Sequence, residues 1–341
     1  MSYRSIGEGR TKILVDGRWH GPHGIGRFAT EVIRRLPEVS VLQGGTPVLH
    51  PFEPMWLSAR ILRERPSVYF TPGFNPPLSC DIPFVFMIYD LIHLHVPEET
   101  GWSKAFYYNL YLKRAARRAF KVLTVSEYSR KTILDWTKLP PERVMVVGAG
   151  VGQAFGPFGE IYSPGYKYLL YVGTHKPHKN IPRMIEAFAR AAIPASIRLV
   201  LTGEASTATV RAAAELGGRV IFAGVVPERQ LAAYYRGAVA LLFPSLYEGF
   251  GIPPLEAMAC GTPVITSNVT SLPEVTGSAA LYVDPTDTEA IAKAVECIVT
   301  NANVVQTLKE RGLERSRRFC WDAVATKVQR VLLEAREGES E

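Results

Sequence analysis

The chain has 341 residues, 47% of them apolar and 21% charged, a globular composition that excludes collagenous and disordered classes. That length predicts two domains of roughly 150 residues with a cleft between them. The formal charge of +7 comes from the first half, where residues 1–160 hold 20 Lys+Arg against 14 Asp+Glu and residues 161–341 hold 19 against 18; such an excess draws anionic lipid or a phosphorylated substrate, and no nucleic-acid-binding module accompanies it.

No apolar run approaches the roughly 20 residues needed to span a bilayer. The opening MSYRSIGEGRTKILVDG has no apolar stretch followed by a cleavage site, so a cytoplasmic chain is expected. Cys80, Cys260, Cys297 and Cys320 form no CxxC pair and are read as free core thiols.

In chain order, β-rich runs at 12–17, 68–71, 84–90, 122–126 and 144–148 alternate with helical patterns at 25–36 and 102–119. A loop, GPFGEIYSPG at 156–165, interrupts the alternation. Strands are then expected at 168–172, 198–202, 220–223, 240–244, 263–266 and 280–283, with helices at 181–192, 228–237, 254–260 and 288–299. Strands alternating with helices predict an α/β fold of two doubly wound, Rossmann-like parallel sheets facing a cleft. The domains are placed at 1–160 and 161–320, with a C-terminal helix over 321–341 returning to the first.

Chemistry concentrates in residues 243–263, FPSLYEGFGIPPLEAMACGTP. A strand ends at Pro244, a loop holds Gly249 and Gly251, and a helix is predicted to begin with Pro254 at its first position, where a missing N–H costs nothing. The amides of Gly249, Phe250, Gly251 and Ile252, with Leu255 as a further candidate, suit a diphosphate at a helix N-terminus. Glu248 and Glu256 would be repelled by phosphate, so each is read as an acceptor for sugar hydroxyls, Glu256 for the ribose and Glu248 for the hexose. Spacing alone equally fits a first-turn acid favoured by the helix dipole and a solvated loop residue.

This stretch resembles the retaining glycosyltransferases of family 4, which have the GT-B architecture, and Glu248 and Glu256 match that family's E-x7-E signature. The resemblance covers nearly the whole chain and is strongest over 220–285. It implies that residues 1–160 bind the acceptor and 161–320 the nucleotide sugar, that Glu248 contacts the donor sugar and Glu256 the ribose, and that the amides of 249–251 contact the diphosphate. In YVGTHKPHKNIP at 171–182, Lys179 matches the lysine that neutralises the leaving diphosphate, while Thr174 stands where relatives often have arginine. Lys176, His178 or an arginine of the first domain is then left to supply a second positive charge. In HGPHGIGR at 20–27, Gly24 and Gly26 match the glycine loop that closes on the donor. VSEYSR at 125–130 is a further match, and in FAGVVP at 222–227 the backbone beside Val225 and Val226 would meet the nucleobase. In YDLIH at 89–93, Tyr89 replaces a common histidine, and Asp90 is a candidate acceptor contact and catalytic residue alongside Glu248 and Lys179.

The pair His93 and His95 is too sparse for zinc, and no P-loop, GxSxG or DxD motif occurs. No metal or cofactor is expected to be required, and a nucleotide-diphosphate sugar is the co-substrate. The segments GTHKPHKN and LYEGFG resemble mannosyltransferases of surface-polysaccharide assembly, implying GDP-mannose as donor and a glycan or lipid-linked acceptor. A nucleotide-sugar epimerase or sugar phosphorylase on the same architecture, and a non-catalytic nucleotide-sugar-binding subunit, are the alternatives. Over 102–119, a 100° step per residue puts Tyr108, Leu112, Ala115 and Ala119 on the core side. The opposite face takes Lys113, Arg114, Arg117 and Arg118, with Phe106, Tyr107, Leu110 and Tyr111 nearer the N-terminus. That face suits an anionic membrane surface.

Overall fold

The computed structural model describes residues 13–21 and 24–338. Residue 12 of the expected first strand, Pro22 and His23 of the glycine loop, and residues 339–341 lie outside the described residues. The first sheet contains β1 (Ile13–Asp16), β2 (Val39–Leu42), β3 (Val68–Thr71), β4 (Phe84–Met87), β5 (Lys121–Thr124) and β6 (Val144–Val146), in the order β2-β1-β3-β4-β5-β6. The second contains β7 (Tyr168–Tyr171), β8 (Arg198–Thr202), β9 (Val220–Gly224), β10 (Ala240–Phe243), β11 (Val264–Ser267) and β12 (Ala280–Val283), in the order β12-β11-β10-β7-β8-β9. Every pairing is parallel. Strands β1, β3, β4, β7, β10 and β11 are buried along their whole length, which is why they read as unbroken apolar runs rather than as alternations.

Strand order reverses between β1 and β3 in one sheet and between β7 and β10 in the other. Ligands of such sheets bind beyond the strand C-termini at those reversals. The loops that follow β1, β7 and β10 are the three segments that carry the glycine loop, Lys179 and Glu248.

Three expectations are corrected. The helix after β10 is Ile252–Ala259 with Gly251 as its N-cap, so Pro253 and Pro254 are its second and third residues rather than Pro254 its first. Both still fall among the positions whose amides have no intrahelical acceptor. Leu255 is lost from the amide set, because its N–H donates to Gly251 O at 3.4 Å. Edge strand β2 was not foreseen: VSVL is short and mostly outside the core.

The third correction concerns 102–119. The helix is α over Trp102–Phe106, π over Tyr107–Leu112 and α again over Lys113–Arg118. A π stretch takes more residues per turn, so the constant 100° step fails beyond Phe106. Tyr108, Leu112, Ala115 and Ala119 are buried, but so is Ala116. Tyr107 and Tyr111, expected on the outer face, turn inward: the Tyr107 hydroxyl donates to Asn75 Oδ1 at 2.6 Å and the Tyr111 hydroxyl to Pro76 O. Asn75 belongs to a buried network in which Arg18 pairs with Asp16 and Glu53, each at 2.7 Å.

The last helix, Trp321–Glu337, packs on the first domain. Trp321 lies edge-on to Phe28 with ring centroids 5.9 Å apart, Asp322 pairs with Arg35 at 2.5 Å, and Glu334 pairs with Lys121 at 2.7 Å. The preceding helix, Ala302–Ser316, packs on Ile252–Ala259 of the second domain, so the chain crosses between domains a second time just before Trp321.

Candidate active site

The loop after β10 is held from both domains. Leu246 N–H donates to His178 O at 2.8 Å, Glu248 N–H to Thr270 Oγ1 at 3.2 Å, and Ser271 Oγ to the carbonyl of Phe250 at 3.0 Å. From the first domain, the Ser126 and Ser129 hydroxyls donate to Gly249 O at 2.7 and 3.2 Å. Ser126 also caps the helix Glu127–Thr137, accepting from Ser129 N–H, so one hydroxyl serves local structure and domain contact together. With the carbonyls and flanking amides engaged, the N–H groups of Gly249, Phe250 and Gly251 have no acceptor among the described residues. Gly251, at φ +107°, adopts the left-handed geometry that lets successive amides converge on an anion.

Glu248, Lys179, Asp90 and Gly249 come together at the centre of the cleft. Lys179 Nζ donates to Glu248 Oε1 at 2.6 Å, with both side chains nearly buried, and stands 5.2 Å from the Phe243 ring centroid. A Cβ on Gly249 would lie 2.7 Å from Asp90 Oδ2, so only glycine lets that carboxylate approach. Burial, and then the neighbouring Glu248, raise the Asp90 carboxyl above its usual value, against the Ile92 amide that donates to it at 3.0 Å.

Glu256 lies in a separate pocket. Arg27 of the first domain donates through Nη1 to Oε1, and the Tyr235 hydroxyl donates to Oε2 at 2.9 Å. Burial pushes the Glu256 carboxyl up to about 7, against the pull of Arg27 and Tyr235. Gly24 faces Ile252 across the same gap, its notional Cβ 3.8 Å from Ile252 Cδ1. Gly26 packs so tightly on Gly21 that a side chain would collide with its backbone at 2.5 Å.

Two candidates for the second positive charge are engaged elsewhere. His178 Nδ1 faces Glu99 Oε1, and Lys176 Nζ lies 3.9 Å from Glu99 Oε2. His178 is held below the usual imidazole value by burial and then by Lys179. Arg27, an arginine of the first domain, points at Glu256. Thr174 is exposed, with its carbonyl accepting from the Tyr171 hydroxyl at 2.7 Å, and Val225 is 70% exposed; neither touches the Lys179 and Glu248 pair. Tyr89 donates its hydroxyl to Pro72 O at 2.7 Å. His93 turns to Glu99 O, and His95 stacks on Tyr247 at 5.8 Å between centroids. Among the described residues no three His, Cys, Asp or Glu side chains gather as a metal site.

Sequence reasoning missed Glu99, Tyr235, Glu228 and Glu274. Glu274 accepts from the N–H groups of Glu127 and Tyr128 at 2.8 and 3.2 Å, capping an N-domain helix from the opposite domain. No local pattern marks these residues, since each acts on a partner distant in sequence. Arg27 carried one weak signal, its place at the end of the glycine-loop motif.

Comparison with known proteins agrees with this architecture. Residues 15–153 match the family description Glycosyltransferase Family 4, and residues 160–315 match Glycosyl transferases group 1. The chain is similar to the O-antigen chain mannosyltransferase B of Escherichia coli, with 30% identity over 298 residues, covering 82% of this chain and 77% of that enzyme. It is also similar to the serotype-specific mannosyltransferase WbdA of Escherichia coli, at 29% identity over 71% of this chain, but spans only 32% of that protein. The fold matches sucrose-phosphate synthase from Thermosynechococcus elongatus with a TM-score of 0.77 and 21% identity, covering 97% of this chain and 100% of that one. The chain belongs to glycosyltransferase family 4 and has its two-domain GT-B architecture.

Proposed function

We propose that this glycosyltransferase moves mannose from GDP-mannose, with retention of configuration, onto a lipid-linked or saccharide acceptor during surface-glycan assembly. The observation that carries the reading is the meeting of Lys179, Glu248 and Asp90 beside three unengaged amides at residues 249–251. The amides and Lys179 receive the diphosphate, Glu248 accepts from a hydroxyl of the hexose, and Glu256 accepts from the ribose. As the bond from the sugar C1 to the diphosphate oxygen breaks, charge gathers on that oxygen and Lys179 stabilises it. The acceptor oxygen forms its bond to C1 on the same face, and its proton passes to the departing diphosphate. Asp90, against Gly249, contacts the acceptor. Lys179 and Glu248 neutralise one another in the ligand-free site, so an arriving diphosphate takes Lys179 and leaves Glu248 for the sugar. Mannose is favoured by the similarity to the O-antigen mannosyltransferase.

The test is a thermal-shift and turnover panel across GDP-, UDP-, ADP- and dTDP-sugars. GDP-mannose should give the largest shift and be consumed only slowly without acceptor. Preference for another base would overturn the donor assignment. Conversion of donor into an isomeric donor would mark an epimerase, a requirement for inorganic phosphate a phosphorylase, and binding without turnover a non-catalytic subunit.

The reading includes work on an anionic membrane at the cytoplasmic face. No helix among the described residues is long and apolar enough to cross one. Trp102, Phe106 and Leu110, four residues apart, are 91%, 60% and 57% exposed. Farther along the same helix Arg118 donates to Leu78 O, and Leu78 N–H bonds to Pro54 O. This ties the helix Glu53–Glu64, which carries the exposed Met55 and Leu62, to that helix. Arg114, Arg117 and Arg118 are exposed at its edge, each cation contributing about 1 kcal/mol near an anionic surface. The expected result is salt-sensitive sedimentation with vesicles containing anionic lipid, lost on Trp102→Ser with Phe106→Ser and weakened by Glu at 114, 117 and 118. Equal sedimentation of all variants would return the basic excess to substrate binding.

A further inference from the structure

We propose that Arg27 is a positioning residue for the donor's ribose: reaching across the cleft from the first domain, it fixes the Glu256 carboxylate and makes nucleoside recognition depend on domain closure. This inference rests on the reading of Glu256 as the ribose acceptor.

Arg27 lies in the first turn of the helix Gly24–Ile33, which the glycine loop launches. Its Nη1 donates to Glu256 Oε1, its Nη2 lies 3.2 Å from Glu228 Oε1, and its guanidinium stands 5.6 Å from the Phe155 ring centroid. It is therefore held by two carboxylates of the second domain and by Phe155 of its own. Glu256 receives one donor on each oxygen, Arg27 on Oε1 and Tyr235 on Oε2. A carboxylate oxygen accepts more than one hydrogen bond, so each retains acceptor capacity. Two acceptor oxygens on one carboxylate match two adjacent ribose hydroxyls.

The charges around Glu256 explain why an arginine stands there. The groups facing it are Arg27, Tyr235, Glu228 and Cys260. Burial drives the carboxyl toward its neutral form and Glu228 pushes the same way. The Cys260 thiol, pushed up to about 12 by burial, is neutral. Arg27 is the one cation of this set. Arg27 pulls the buried carboxyl toward its charged form; without that pull the balance shifts toward the protonated form, whose bonds to the hydroxyls are ordinary rather than charge-assisted and about half as strong. Because Arg27 comes from the opposite domain, an open cleft leaves Glu256 without this partner.

The experiment measures binding of GDP and UDP, each beside its 2′,3′-dideoxy counterpart, to the wild type and to Arg27→Gln between pH 6 and 9. The wild type should prefer the ribose form. Arg27→Gln should lose about tenfold of that preference near pH 8, where the wild-type carboxyl, raised to about 7, is mostly ionised, the order expected when a charged acceptor becomes neutral. It should regain the preference as pH rises, while affinity for the dideoxy forms changes little. A merely structural role would weaken all four ligands together with no dependence on pH, and would overturn the proposal. Tighter ribose binding by Arg27→Gln would also overturn it, marking Arg27 as an occluding latch. A wild type indifferent to the ribose hydroxyls would instead overturn the reading of Glu256 itself. If Arg27→Gln does not fold, Arg27→Lys carries the test: a smaller loss with the same recovery at high pH is expected, and an unchanged pH profile contradicts the inference.

Discussion

Lys179→Ala should lower turnover by about 2 to 4 kcal/mol of transition-state stabilisation, the amount lost with a preorganised electrostatic donor, or roughly 30- to 1,000-fold in rate. The lysine is nearly buried and its partner is Glu248 at 2.6 Å, so the deletion also strands a carboxylate beside the incoming diphosphate. Comparison with Glu248→Gln separates the two effects. That change removes the repelling charge but keeps an amide for the hexose hydroxyl, so nucleoside diphosphate should bind at least as tightly while transfer slows. Because the residues touch, the double variant should lose less than the sum of the single losses. Steady-state kinetics with nucleoside-diphosphate titration measures all three. A Lys179→Ala enzyme at wild-type turnover would remove the lysine from the mechanism.

Glu256→Ala should weaken donor binding and destabilise the fold together. Arg27 and the Tyr235 hydroxyl both end on this carboxylate, and Arg27 is only 13% exposed. Removing one partner of a buried ion pair costs about 3 to 5 kcal/mol, mainly through the charge left behind. A fall in Tm of several degrees is expected, with a rise in donor KM that exceeds the fall in kcat. Glu256→Gln keeps the volume and an acceptor oxygen but not the charge, so it should recover only part of the Tm and not the donor affinity. If the glutamine variant bound donor as the wild type does, the carboxylate would be a structural partner of Arg27 alone.

The parallel sheets were legible because their strands are buried on both faces and their helices begin or end at prolines and glycines. Strand β2 was not, because VSVL is too short and too exposed to stand out. The helix at 102–118 was visible as a helix, but its π stretch and the inward contacts of Tyr107 and Tyr111 with the segment around Asn75 are not encoded in periodicity. Within the site, Glu248, Glu256 and Lys179 were found because each lies in a dense local motif. The pairing of Arg27 with Glu256 spans 229 positions and that of His178 with Glu99 spans 79. Only folding brings such residues together, and the closed cleft is made largely of them.

The most direct test of the account is the configuration of the transferred sugar. With GDP-α-mannose as donor and lipid-extracted glycan as acceptor, nuclear magnetic resonance of the isolated product should show a new α-linked mannose, formed at a rate that Lys179→Ala reduces by roughly 30-fold or more. A β-linked product, or an α-linked product formed equally well without Lys179, would contradict the account.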